Sequence, residues 1–190
     1  MTGHPGTRPG ASATAAASLS IDRLDIAAPG AFAAAVAPLF EGARGFLGRL
    51  AMARPFGSVE AMFEAARRIA HAMPVEEQVE LIDAHPRLGA PPAEVSTLSF
   101  VEQGYARDGA TPAPDLAAEL DGLNEAYEAR FGFRYCVFVA GRSRVALLPE
   151  LVAALEADRD AELTRALDAV VDIARDRYAT MTSAAREASR

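Results

Sequence analysis

FRYCVFVA, residues 133–140, is the only stretch of this 190-residue chain that reads as a β-strand. It is short and apolar, built from the aromatic and β-branched residues that strands favour. A strand inside a core needs partners for its N–H and C=O groups, and no second run of this kind occurs in the sequence. The segment is therefore expected to be extended and buried in a protein whose remaining elements are helices. The fold class that follows is all-α, a single-domain helical bundle with one short extended buried segment.

Outward from that segment, apolar residues recur at helical spacing on both sides. A long helix is expected from near Asp115, with Leu116, Leu120, Leu123, Tyr127 and Phe131 on one side and Gly132 as its stop. Two helices follow, over about 144–157, with Pro149 awkward in its first turns, and about 160–182. In the last, Leu163, Leu167, Val170, Val171, Ala174 and Tyr178 form the buried stripe. Upstream, Phe32, Val36, Leu39 and Phe40 mark a helix that kinks or ends at Pro38, and GFLGRLAMA a short second one closed by RPFG. Ser58 can cap a third, striped by Met62, Phe63, Ala66, Ile69 and Ala70. A fourth takes Pro74 as its first residue and turns Val75, Val79 and Ile82 inward. Ser99 opens a further one, SFVEQGYA.

Composition excludes several function classes. The chain is long enough for one well-filled core. A net charge of −7 argues against a nucleic-acid surface. No apolar run reaches the length of a membrane span. The one cysteine, Cys136, rules out an internal disulfide framework and suits a reducing compartment. Residues 1–18, rich in Gly, Pro, Ser, Thr and Ala, lack the pattern of a signal peptide and read as a disordered tail. The C-terminal tripeptide is not a peroxisomal signal. The domain is expected over 19–183, with 184–190 as a second disordered tail, and the cytoplasm as its location.

No phosphate loop, dinucleotide fingerprint or nucleophile elbow is present. The three histidines lack the spacing and acidic companions of a metal site, so no metal is expected. His4 lies in the N-terminal tail, and His71 suits a helix C-terminus. His85 stands in LIDAHPRLGA, where a helix stops, Pro86 stiffens the next step and Gly89 lets the chain turn away. The ring there either helps end the helix or is held in place for a ligand. In the second case the carbonyl end of the helix favours imidazolium, hence a proton donor. Ser99 and Glu102 match a capping box, a sufficient structural reason for both, while the same N-terminus could bind an anion. Arg175 and Arg177, two apart on the last helix, face different ways, and Arg177 lies at the edge of the buried stripe, where a guanidinium needs an acid or a ligand. Asn124 and Tyr127 read as packing residues.

Taken in order, these pieces resemble the 2-oxo-4-hydroxy-4-carboxy-5-ureidoimidazoline (OHCU) decarboxylases, enzymes of the route from urate to allantoin. The similarity is carried by Leu39, Phe40 and Glu41, by RPF (54–56), by LI-AHP-LG (81–89), by S-x-x-EQ (99–103), by LN-x-x-Y-x-x-RFGF (123–133) with the extended run after it, by G-x-S (141–143) and by IAR-x-R (173–177). The resemblance implies an all-α homodimer that acts on a small-molecule ureidoimidazoline with no metal or organic cofactor and no nucleic-acid or membrane partner. It implies His85 as acid–base residue, Glu102 as catalytic glutamate and Arg177 as substrate-binding arginine. Pro86, Ser99, Phe100, Val101, Gln103, Tyr135, Cys136, Val137, Phe138 and Val139 correspond to the remaining substrate contacts. In that scheme Arg177 anchors a substrate carbonyl or carboxylate, Glu102 orients the hydroxyl or ureido group, and His85 delivers the proton that makes one hand of allantoin, the (S) form. The backbone groups of the extended run, unsatisfied by any sheet, read the ring amides.

The sequence departs from the family at Arg87, where an acid is usual; at Arg134, where proline is usual; at FEGARGF (40–46), which stands in place of FE-SPW and loses its large aromatic; and at GYARDGA (104–110). Two rival readings remain beside the decarboxylase. One is a diverged lyase or hydrolase on another small acidic heterocycle. The other is a non-catalytic helical dimerisation module. They separate on whether His85, Glu102 and Arg177 converge on one cavity, and on whether Glu102 faces it or only caps its own helix.

Overall fold

The computed structural model of the chain describes residues 19–105 and 114–188. Nine α-helices occur among them: α1 (Ile21–Ile26), α2 (Pro29–Val36), α3 (Arg44–Met52), α4 (Val59–Ala72), α5 (Val75–Asp83), α6 (Thr97–Glu102), α7 (Pro114–Phe131), α8 (Arg144–Ala154) and α9 (Arg159–Ala188). Short 3-10 turns cover Ala37–Phe40 and Pro92–Glu94. No strand forms among the described residues, and FRYCVFVA runs extended with Tyr135, Cys136, Val137 and Val139 buried. The all-α expectation holds.

The last helix organises the rest. Its stripe of Leu167, Val170, Val171 and Ala174 is buried, and it packs on α4, α5 and the 37–40 turn. That turn is the kink expected at Pro38, and it seats Leu39 and Phe40 in the core. Phe40 meets Phe46 of α3 at 4.7 Å between ring centroids. Around the extended segment, Tyr127 packs on Phe131, Phe133 and Tyr135, so the C-terminal end of α7 and the run that follows share one aromatic cluster. No helix among the described residues is long and apolar enough to cross a membrane.

Several local expectations change. Ser58 caps α4 as anticipated, its hydroxyl accepting from Ala61 N. Pro74 is the N-cap of α5 rather than its first residue, and Val75 is exposed because the helix turns Leu81 and Ile82, not its first turn, to the core. The cap of α6 is Ser96, whose hydroxyl accepts from Ser99 N. Ser99 is therefore inside the helix, and the capping box read on Ser99 and Glu102 does not exist. This helix ends at Glu102 instead of running through GYA. Helix α8 stops at Ala154, earlier than 157, and α9 continues to Ala188, past the expected 182. The tail over 1–18, with His4, lies outside the described residues, as do positions 106–113, which hold most of GYARDGA.

Candidate active site

His85 follows the C-terminal end of α5. Its backbone N–H donates to Ile82 O, continuing the last turn, and the side chain folds back so that Nδ1 lies 3.3 Å from Leu81 O. A carbonyl can only accept, so Nδ1 carries the hydrogen and Nε2 is the bare ring nitrogen. Nε2 finds no hydrogen-bond partner among the described residues and is shut off from solvent. Burial, with the positive charge of Arg177 second, pushes the ring from 6.5 down to about 4, against smaller opposing effects of Glu41 and Leu81 O. The imidazole is neutral at neutral pH. The expectation of an imidazolium at the helix end is thus corrected: desolvation of a buried ring outweighs the partial charge of the carbonyl end. In the resting site His85 is a proton acceptor.

Gly89 lets the chain leave this corner. It lies at φ +83, where a side chain is rarely tolerated, and an added Cβ would stand 2.8 Å from Leu120 Cδ1. The two unusual arginines brace the same corner. Arg87 makes a two-pronged pair with Glu128 of α7 through Nε, at 2.7 Å, and Nη2. Arg134 donates through Nη1 to Asp83 O at 2.8 Å and His85 O at 3.1 Å, while its backbone N–H donates to Asp83 Oδ1 at 2.8 Å. A proline at 134 would supply none of these bonds, so the substitution ties the histidine corner to the extended run.

Arg177 of α9 is buried, its side chain 1% exposed. Nε donates to Glu102 Oε1 at 2.6 Å and Nη2 to Glu102 Oε2 at 2.8 Å, a two-pronged pair. Nη2 also meets Glu41 Oε1 at 2.8 Å and Ser99 Oγ at 3.0 Å, and Nη1 donates to Pro38 O at 3.0 Å. The guanidinium is therefore committed to protein acceptors on every side. It presents Glu102 rather than standing open to an anion, which changes the role expected of it. Arg175, two residues earlier, points elsewhere, over the Phe63 ring at 5.9 Å.

These groups share one cavity of about 130 Å3, lined by His85, Pro86, Leu88, Ser99, Glu102, Gln103, Tyr135 to Gly141, Ile173, Asp176 and Arg177. Of the residues expected there, His85, Pro86, Ser99, Glu102, Gln103, Tyr135, Cys136, Val137, Phe138, Val139 and Arg177 line it. Phe100 and Val101 do not. Phe100 stacks on Tyr105 at 5.1 Å and Val101 is 61% exposed, because successive residues of α6 point 100° apart and only one face meets the cavity. Gln103 acts as a bracket, its Oε1 accepting from Gly89 N at 2.8 Å and its Nε2 donating to Arg87 O at 3.1 Å. Among the described residues no group of three or more His, Cys, Asp and Glu side chains could hold a metal ion.

The extended wall is held from behind. Arg165 of α9 donates to Cys136 O at 2.9 Å, stacks over the Tyr135 ring at 4.8 Å and pairs with buried Glu162, which accepts from Tyr127 Oη at 2.7 Å. Arg142 donates to Phe138 O at 2.7 Å and Val139 O at 3.1 Å. Three carbonyls of the run are thus already engaged by arginines, which narrows the backbone left to read a ligand. Burial holds the Cys136 thiol up at about 12, so it is no nucleophile at neutral pH.

Sequence reasoning missed Leu88, Ala140, Gly141, Ile173 and Asp176 as lining, and gave Glu41 no role. A signal existed for one of them: Gly141, at φ 74, ends the extended run in a left-handed turn of the kind a glycine can mark, whereas alanine at 140, φ 50, gives no such sign. Glu41 was marked by its place in the Leu39 to Glu41 motif, which names no role for it.

Comparison with known proteins adds the following. The profile of one family, described as OHCU decarboxylase, matches residues 27–179. The uric acid degradation bifunctional protein PucL of Bacillus subtilis (strain 168) is 35% identical over 141 residues, 74% of this chain. The chain spans only 28% of the length of that protein. The 2-oxo-4-hydroxy-4-carboxy-5-ureidoimidazoline decarboxylase of Haloferax volcanii is 29% identical over 159 residues, 84% of this chain and 92% of its own. A crystal structure of OHCU decarboxylase in the presence of (S)-allantoin superposes with a TM-score of 0.60 at 24% identity, covering 75% of this chain and 93% of the other. One of (S)-allantoin synthase gives 0.62 at 16%, covering 86% and 54%. At such identities the two structures speak for the fold.

Proposed function

The chain belongs to the OHCU decarboxylase family, and from that premise we propose that it converts 2-oxo-4-hydroxy-4-carboxy-5-ureidoimidazoline to (S)-allantoin and CO2 in urate degradation. The observation that carries this reading is the meeting of His85, Glu102 and Arg177, from three separate helix ends and faces, on one cavity. A helical module that had lost its chemistry would have no reason to bury a histidine with a bare nitrogen there.

The substrate bears its carboxylate and hydroxyl on one ring carbon, next to a carbon that is double-bonded to a ring nitrogen and carries the ureido group. Loss of CO2 sends the released electron pair into that C=N bond, so the substrate is its own electron sink. Two atoms must then gain protons, the ring nitrogen and the ureido-bearing carbon. One proton comes from the substrate hydroxyl as it becomes a carbonyl, and one from solvent. His85, neutral with Nε2 bare, takes the hydroxyl proton and returns it to one face of the ureido-bearing carbon, which sets the hand of the product. General acid–base assistance of this kind is worth about 10²–10⁴-fold. Glu102, clamped by Arg177, keeps lone pairs for the N–H groups of the ureido arm, and Arg177 serves chiefly to hold that carboxylate still. Pro86, Ser99 and Gln103 shape the opposite wall, and the 135–139 backbone faces the ring. The enzyme works as a homodimer in the cytoplasm, with no metal or organic cofactor.

The test is circular dichroism of freshly generated substrate with wild type and His85→Ala in parallel. The expected result is a fast one-handed allantoin signal that falls about 10²–10⁴-fold in the variant. Slow racemic decay equal to the protein-free control would refute the decarboxylase.

A further inference from the structure

We infer that Glu41, which stands behind the reaction cavity and not in it, is the positioning residue of this site: its carboxylate fixes the Ser99 hydroxyl and the Arg177 guanidinium, and through Arg177 the carboxylate of Glu102. Its kinetic consequence rests on the decarboxylase reading; its physical consequence does not.

Glu41 Oε1 collects three donors, Ser99 Oγ at 2.7 Å, Arg177 Nη2 at 2.8 Å and Ser96 Oγ at 2.9 Å. Each belongs to a different part of the site: Ser99 lines the cavity, Arg177 carries Glu102, and Ser96 caps the helix that bears both Ser99 and Glu102. One oxygen therefore ties the N-terminus of α6 to α9. With its proton committed to Glu41, the Ser99 hydroxyl meets a ligand only as an acceptor.

The backbone supports the same conclusion. Glu41 sits at φ 49, ψ 26, in the left-handed region that is unfavourable for a residue with a Cβ. Glycine would fill that position without cost, and one follows directly at Gly42, φ +77. A glutamate persists in a strained conformation where its side chain is worth more than the strain. Burial raises its carboxyl, but the Ser99 hydroxyl, the Arg177 charge and the Ser96 hydroxyl together outweigh that and hold it below the usual range, so it stays ionised.

Glu41 also lines a second, polar cavity of about 390 Å3, with Pro86, Arg87, Ser96 and Arg134, and is not among the residues that line the first. Pro86 is the wall common to both cavities. The carboxylate thus reaches the reacting atoms only through other groups. Its charge nevertheless acts on His85, favouring the protonated ring while Arg177 opposes it. The other charged groups about that ring are Glu102 on α6, Asp176 on α9, and Arg134, whose guanidinium sits on the His85 carbonyl. Removing the Glu41 charge leaves Arg177 less opposed, so His85 becomes harder to protonate.

Three forms of the full chain decide the matter: wild type, Glu41→Gln, which keeps the shape and loses the charge, and Glu41→Asp, which keeps the charge and is one methylene short. The readout free of activity is exchange with water of the assigned Arg177 Nε–H resonance, expected to quicken about tenfold or more in both variants as the guanidinium loosens. In kinetics, both variants lose about tenfold to a hundredfold in kcat through misplacement, with a smaller change in KM. The acid limb of the kcat/KM profile moves to lower pH in Glu41→Gln and stays in place in Glu41→Asp. Should Glu41→Gln not fold, exchange and kcat in Glu41→Asp still decide. Unchanged exchange in the variants overturns the role of Glu41, as does faster exchange with wild-type kcat and acid limb. Faster exchange with no turnover by any form, wild type included, supports Glu41 as the brace and sinks the decarboxylase reading instead.

Discussion

A histidine that is neutral because it is buried leaves a mark on stability as well as on chemistry. In the folded chain His85 takes a proton near pH 4, against 6.5 when exposed. Between those values the unfolded chain binds the proton and the folded chain does not. Stability from this group is therefore complete above pH 6.5 and is lost as pH falls, by about 1.4 kcal/mol per pH unit. Urea unfolding at pH 6.5 and 5.0 should show this slope in wild type, and a slope shallower by one proton in His85→Gln. Equal slopes would mean that the ring is not held neutral. Gly89 is the other residue at this corner with no substitute. Gly89→Ala would meet φ +83 and a Leu120 methyl that is itself in the core, at a cost of about 1–3 kcal/mol. A smaller loss by urea titration would show that the corner yields.

At the level of elements, the site is two helices joined by charge. Helix α6 is six residues long, too short to hold itself in water, and its ties include the Ser96 cap, the pairs with Arg177 and the Glu41 carboxylate on Ser96 and Ser99. Replacing a partner in such a buried cluster strands the remaining charge. Arg177→Met would leave Glu41 and Glu102 facing each other without their cation, and should cost about 3–5 kcal/mol in equilibrium unfolding. A neutral or stabilising result would mean that the cluster is far wetter than its burial indicates. Arg165 and Glu162 do for the extended run what Arg177 and Glu102 do for α6, binding Cys136 O and Tyr127 Oη to α9. Both walls of the cavity are thus fastened to the same helix.

The whole molecule carries a further expectation of the proposed function. A product that fits the cavity binds the folded chain alone, so it raises the unfolding temperature by mass action, with about 2.7 kcal/mol of stabilisation at a hundredfold excess over its Kd. Thermal unfolding with (S)-allantoin against the (R) form should show a shift for the first only, and none for either in Glu102→Ala. Equal shifts for both hands would remove stereospecific recognition from the account.

Much of this was written in the residue order. Local periodicity fixes which residues of a helix face inward, so the helices of the long apolar stripes, the lone extended run and the kink at Pro38 are legible without coordinates. The ordered set of His85, Glu102 and Arg177 was legible as well, through resemblance. The states of these groups were not. Whether His85 is an acid or a base depends on how much water reaches it, and α9 and the extended run, far away in sequence, decide that. The cap of α6 is Ser96, while Ser99 binds Glu41 and Arg177, partners 58 and 78 residues distant. Pairing between distant charges is a property of tertiary packing: desolvation and Coulomb attraction act through space, and the sequence records neither the distance nor the water between two residues.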